Sequence, residues 1–309
     1  MATPRRLLID PERPMYYHLV SRCVRSSWLC GFDQHSRRDY EHRKTWIQER
    51  LFRLARYFAV AIDAYAIMSN HFHLVVYFDP QESYRWSDAE VVERWLAAFP
   101  PRVSVLPESE QTLILNTHRE ILLQTPAKLQ HARETLGSVS MFMKYLKQPI
   151  AYQANREDSC SGHFFEGRFY SGALLDENAV VAAMAYVDLN PVRASILQRI
   201  ENYRSSSGYK RSRVARNTPE RLKEAVKPLV SGLSRSRITL AITLGQYLNI
   251  LENCQQDYLA PNITDRKSRW FNRVASIKKR QRAFGSNTEL SHWRTERGWS
   301  VLGSPLPDA

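Results

Sequence analysis

Ser69-Asn70-His71-Phe72-His73-Leu74-Val75-Val76-Tyr77-Phe78 opens on a polar turn and continues as eight mostly aromatic and aliphatic residues, the composition of a strand. In an extended chain side chains alternate with a period of two. His71 and His73 therefore leave from the same face, roughly 7 Å apart along the strand. Two imidazoles so placed can converge on one cation. The same pair also reads as half-buried strand histidines satisfied by hydrogen bonds, and the motif in isolation leaves both readings open.

Working outward, Phe58 to Met68 is a second strand, joined to the histidine strand by a tight Met68-Ser69-Asn70 turn. Before it, Trp46, Ile47, Leu51, Leu54 and Ala55 recur at helical spacing within 36–56, an amphipathic helix. Tyr16-Tyr17-His18-Leu19-Val20-Ser21 reads as a strand with a basic exit, Arg22-Cys23-Val24-Arg25. Strand, helix and hairpin are half of a ferredoxin-like βαββαβ antiparallel sheet, so the expected class is α+β. Residues 80–136, with Pro100-Pro101, Pro107 and Pro126, read as an insertion. Ser138 to Asn155 regains a helical period that Pro149 is expected to kink. Lys144, Lys147 and Arg156 on its polar side are either a solvated face or DNA contacts. Gly162 to Leu175 supplies a loop and the last strand that the sheet needs.

Asp176-Glu177-Asn178 offers capping groups for a helix to about Leu189, with Val180, Met184 and Val187 as its buried stripe. Ala182, Tyr186 and Asn190, spaced by four, lie off that stripe, which predicts an exposed Tyr186 beside little bulk. Pro191 disfavours a helical Asn190 and makes it a cap for a following helix, Pro191 to Ile200. Read alone, Tyr186 is a boundary residue of an amphipathic helix and Asn190 a cap, rather than catalytic groups.

The chain has 309 residues, 43% of them apolar and 11% aromatic, enough for one large domain or two ordinary ones. Its 44 Lys and Arg against 31 Asp and Glu leave +13, with an isoelectric point near 9.7. That balance favours a polyanionic partner, nucleic acid first and an anionic membrane surface second. No apolar run approaches 18 residues, and Met1 to Pro14 lacks the apolar core of a signal peptide, so a soluble, cytoplasmic protein is expected. Cys23, Cys30, Cys160 and Cys254 form no CxxC, and free thiols are the reading adopted over a metal site at Cys160 and His163.

After Arg204 a Ser-Ser-Ser-Gly tract and a basic run mark a boundary between 1–205 and a basic extension, 206–309. The extension carries a helix near Ile238 to Leu251 and two basic stretches, Arg266 to Arg273 and Lys278 to Arg282. In these Arg269, Lys279 and Arg280 can neutralise phosphates while Trp270 stacks on a base; the alternative is a polar helix with one buried aromatic.

Four stretches together resemble the HUH single-tyrosine transposases, most closely the REP-associated tyrosine transposases. They are Tyr17-His18-Leu19-Val20-Ser21-Arg22, Ala64 to Leu74, Gly162 to Phe169, and Ala185-Tyr186-Val187-Asp188-Leu189-Asn190-Pro191-Val192-Arg193-Ala194. The resemblance spans about residues 15–205, interrupted by the insertion. It implies that His71 and His73 hold Mg²⁺ or Mn²⁺, with Asn190 a third ligand, and that Tyr186 attacks a single-stranded phosphodiester beside a DNA hairpin. Arg22, Arg25, Lys144, Lys147 and Arg168 are then expected on the DNA backbone. Because the chain carries its own extra domain a monomer is expected, with a dimer as the alternative, associated with the nucleoid. Ser69 stands where many relatives have proline, and the long insertion is a second departure. Two rivals remain: a DNA-binding regulator that keeps the fold without cleaving, and a zinc hydrolase in which His18 completes a three-histidine site.

Overall fold

A computed structural model of the chain describes residues 4–24, 27, 29–33, 37–101, 106–234, 239–260, 270–279, 281–298 and 305–307. Strand β1 (Met15–Arg22) leads through a two-residue ribbon, Phe32–Asp33 with Arg38–Asp39, into helix α1 (His42–Ala55). A hairpin follows, β2 (Val60–Ile67) and β3 (His71–Phe78). The described residues of the insertion form the helices Glu82–Arg85, Asp88–Ala98, Glu108–Gln124 and Pro126–Leu136. Helix α2 (Val139–Glu157), strand β4 (Tyr170–Leu174) and helix α3 (Glu177–Asp188) complete the first two thirds. Beyond residue 205 come α4 (Ser207–Asn217), β5 (Val230–Ser231), α5 (Leu244–Leu259), α6 (Phe271–Ser276) and β6 (Ala283–Phe284). The final described helix is Asn287–Arg297.

The sheet order is β5-β2-β3-β1-β4-β6, antiparallel except for the parallel β4–β6 pair. Its central four strands have the 2-3-1-4 order of a βαββαβ sheet, so the protein is α+β as the hairpin pattern predicts. Both edges are closed by strands from beyond residue 205, which covers backbone groups that an open edge would leave unpaired.

Register decides which side chains share a face. Arg22 is paired with His71 and Val20 with His73, so Tyr16, His18, Val20 and Arg22 lie on the histidine side. Tyr17, Leu19, Phe72 and Leu74 point the other way into a core with Ile47 and Leu51 of α1 and Phe142 and Leu146 of α2. The α2 helix is continuous across Pro149. Proline lacks the N–H that would bond the carbonyl four residues back, and Arg50 Nε of α1 donates to that Tyr145 carbonyl instead, at 2.6 Å.

On the histidine face lies α3, capped by the Asp176 carboxylate accepting from the Ala179 amide. Every residue from Ala179 to Asp188 is buried, because α5 and α6 cover the side turned away from the sheet. An Ala- and Val-rich helix that is apolar all round is a core helix, and here it is sandwiched.

As expected, Gly162 to Leu175 is a loop followed by a strand, Tyr170–Leu174, with the loop held to the end of β1 by a Cys23–Phe165 bridge. Two local expectations are corrected. The helix expected over Pro191 to Ile200 is a single turn, Asn190–Arg193, followed by a 3-10 turn at Ile200–Asn202. The helix expected near Ile238 to Leu251 begins at Leu244, where a Thr243–Gln246 capping box starts it. No helix among the described residues is long and apolar enough to cross a membrane.

Candidate active site

His71 and His73 project from β3 with ring centroids 4.8 Å apart. The Tyr186 ring, delivered by α3, has its centroid 5.6 Å from that of His73 and 5.7 Å from that of His18. These groups line a cavity of about 300 Å³ together with Arg22, Asn190, Arg193 and Lys278.

Hydrogen bonds orient both imidazoles. An amide oxygen only accepts, so the 2.6 Å contact of His71 Nδ1 with Asn70 Oδ1 puts the proton on Nδ1 and the lone pair on Nε2. His73 Nδ1 lies 2.9 Å from His18 Nε2 in a buried contact. With Nδ1 of His73 as the donor, its Nε2 also carries a lone pair. Burial, reinforced by the nearby His71, His18, Arg193 and Arg22, drives the His73 pKa well below that of a free imidazole. The neutral ring is the form that binds metals. The two imidazoles, with the Asn190 side chain in the same cavity, fit a divalent cation.

Asn190 is the first residue of its short turn and makes no capping hydrogen bond, so the cap expected there is corrected to a cavity-lining amide. Tyr186 is also corrected: it is 7% exposed rather than open. The Arg193 guanidinium lies 4.2 Å from its ring centroid, and Ile277 and Lys278 also border the cavity. Asp188, two residues on, anchors the end of α3. Its carboxylate accepts from Ser207 Oγ, from the Gly208 amide at 2.7 Å and from Tyr247 Oη at 2.7 Å. Burial pushes that carboxyl up, while Arg211 and these hydrogen bonds pull it down.

Arg22, His71, His73, Tyr186 and Asn190 are thus brought together. Lys144, Lys147 and Arg168 line a separate, larger trough beside α2. Tyr145 and Tyr152 also belong to α2, which packs on the sheet face opposite the histidines. Trp270 is half-buried, packed on the core beneath α3 with Arg273 5.2 Å from its ring. Arg25, Arg269, Arg280 and the Lys279 side chain lie outside the described residues. His18 does not complete a three-histidine centre, since its Nε2 faces His73 Nδ1. Among the described residues no group of three or more His, Cys, Asp and Glu side chains converges on a metal position. The sequence reading missed Arg193 and Lys278; both stand inside motifs it quoted, Asn190-Pro191-Val192-Arg193 and the basic run from Lys278.

No protein-family model matches the chain, and no curated protein matches it. A solved structure is similar. It is that of a REP-associated tyrosine transposase bound to a REP hairpin, at 12% identity and a TM-score of 0.39, covering 69% of this chain and 86% of that one.

Proposed function

We propose that the protein is a metal-dependent single-stranded DNA transesterase of the REP-associated tyrosine transposase kind, with Tyr186 as nucleophile. The observation that carries the reading is the placing of a tyrosine ring 5.6 Å from a paired histidine, in a cavity that also holds Arg22, Arg193 and Lys278. A tyrosine, two imidazoles and three cations match an anionic phosphodiester more closely than a neutral substrate.

In the proposed reaction the Tyr186 phenol oxygen bonds to phosphorus and the bond from phosphorus to the 3′-oxygen breaks. The phenolic proton passes through solvent to the departing 3′-oxygen, leaving a 5′-phosphotyrosine and a free 3′-OH. The link keeps the energy of the original bond, so another 3′-OH can reverse the step. His71, His73 and Asn190 are the residues that would hold Mg²⁺ or Mn²⁺, which when bound polarises the scissile phosphate. Arg193, stacked on the nucleophile, sets a positive charge beside the position where negative charge develops. Duplex DNA keeps its phosphodiesters regular and stacked, so an unpaired strand flanking a hairpin is the proposed substrate. A single chain acting alone in the cytoplasm, near the nucleoid, belongs to the same proposal.

The test is a denaturing gel of labelled hairpin DNA, with a single-stranded flank, incubated with the protein and Mn²⁺. The expected covalent adduct disappears in Tyr186→Phe and in His71→Ala or His73→Ala. An adduct that persists in Tyr186→Phe moves the nucleophile elsewhere. The near-complete burial of Tyr186 under Arg193 favours one second reading, a DNA-binding regulator that does not cleave. Tight hairpin binding by the wild type with no adduct selects it.

A further inference from the structure

Beside α2, on the other side of the sheet from Tyr186, runs an open trough of about 720 Å³ walled by α2, the 162–169 loop and Arg5. Its floor is apolar, built by the buried Met143, Phe164 and Phe165. Tyr152 stands on its wall 68% exposed, its ring open to stacking.

The charges are one-sided. Arg5, Lys144, Lys147 and Arg168 face a single acid, Glu166. Arg5 donates to Ser171 Oγ and the Phe169 carbonyl, and Lys147 to the Gly167 carbonyl, all neutral acceptors. Burial and then Arg168 pull the Arg5 pKa down to about 10, and burial and then Arg5 pull that of Lys147 down to about 8. Cations crowded against one another in this way gain from an external anion. Two of them also rest on rings, Arg5 3.8 Å from the Phe169 centroid and Lys147 5.2 Å from that of Phe165.

An apolar floor, aromatic walls and a basic rim suit a ligand that alternates flat faces with anionic links. We propose that this trough binds unpaired nucleotides, with bases against Tyr152 and Phe169 and phosphates on Arg5, Lys144, Lys147 and Arg168. A duplex hides its base faces and would leave the floor and Tyr152 unused. The trough and the candidate active site, on opposite faces of the sheet, are linked at the end of β1. The Glu166 amide donates to the Arg22 carbonyl at 2.8 Å, and Arg22 lines the Tyr186 cavity, so a strand leaving the trough passes the end of β1 toward the histidines. That continuation rests on the proposed transesterase reading; binding in the trough does not.

The test uses the full chain and a fluorescein-labelled oligothymidine of about eight nucleotides, within the range such sites cover. Anisotropy is read in EDTA, so that cleavage plays no part. Tyr152→Ala is expected to weaken oligothymidine binding about tenfold while changing affinity for a blunt duplex less than twofold. Lys144→Ala is expected to reduce the slope of log affinity against log salt by about 0.7, one phosphate contact on a single strand. Both side chains are surface groups, and circular dichroism confirms the fold of each variant. Wild-type binding in both variants overturns the proposal. So does an equal loss on duplex, which makes the trough a general phosphate surface, or a tighter grip on an oligoglutamate peptide than on oligothymidine. The transesterase reading fails separately, by the absence of a covalent adduct in protein that still binds the oligonucleotide in the trough.

Discussion

His18 and His73 share a buried hydrogen bond, Nε2 to Nδ1 at 2.9 Å, between neighbouring strands and with ring planes 13° apart. It ties one member of the candidate metal pair to a residue that need not touch the metal. By analogy with other outer partners of metal-bound histidines, losing it should cost 10- to 100-fold in cation affinity. Mn²⁺ titration followed by electron paramagnetic resonance is expected to show that loss in His18→Leu. In His18→Gln, whose amide oxygen can still accept from His73 Nδ1, part of the affinity should return. Unchanged binding in His18→Leu would rule out the positioning role.

Arg193 stacks on Tyr186 and adds charge to the cavity. Removing one group that stabilises developing charge typically slows a reaction 10²–10³-fold. Arg193→Met should therefore slow single-turnover adduct formation by about a hundredfold and leave the urea midpoint nearly unchanged. If the two fall together, Arg193 is a packing residue.

Asp188 holds the end of the tyrosine helix to α4 and α5. In Asp188→Ala the Gly208 amide and Tyr247 hydroxyl lose their acceptor and Ser207 Oγ keeps only the Tyr65 carbonyl, a loss on the order of 3–5 kcal/mol in urea unfolding. A loss below about 1 kcal/mol would mean that water replaces the carboxylate and that the helix end is not held there.

Asp63, at the β2 bulge, is fully buried, and neither carboxylate oxygen has a hydrogen-bond partner among the described residues. Burial raises its pKa from 3.8 to about 7, against the pull of Arg211. A carboxyl raised by folding stabilises the fold fully below its unfolded pKa, and that contribution is lost as pH rises through the folded value. Stability should fall between about pH 4 and pH 7, by roughly 4 kcal/mol at most from this group. Asp63→Asn is expected to flatten that slope and to raise the thermal midpoint at pH 8. A wild-type slope that survives in Asp63→Asn assigns the pH dependence to another group.

The parts legible in the sequence are those governed by local period. Aromatic and aliphatic composition in Tyr16 to Ser21 and His71 to Phe78 marked β1 and β3, and the two-residue side-chain period of a strand put the two histidines on one face. Asp176 announced the start of α3 through its capping carboxylate. The Tyr186 environment was misread because period alone treats a helix as having one buried side. The composition of Ala179 to Val187, apolar all round, carried the contrary signal. Pro149 predicted a kink from its missing N–H, and nothing local announced that Arg50, 95 positions before Tyr145, would serve the Tyr145 carbonyl it orphans.

By itself the sequence determined the order of the elements, the shared face of His71 and His73, and a basic balance of +13 that calls for an anionic partner. Tertiary structure alone decided that His18 faces His73, that Arg193 covers Tyr186, and that the segment beyond residue 205 closes both sheet edges. The reason is physical. Capping and periodicity act within a few residues along the chain, whereas hydrogen-bond partners, burial and pKa shifts depend on groups that only strand register and helix packing bring together.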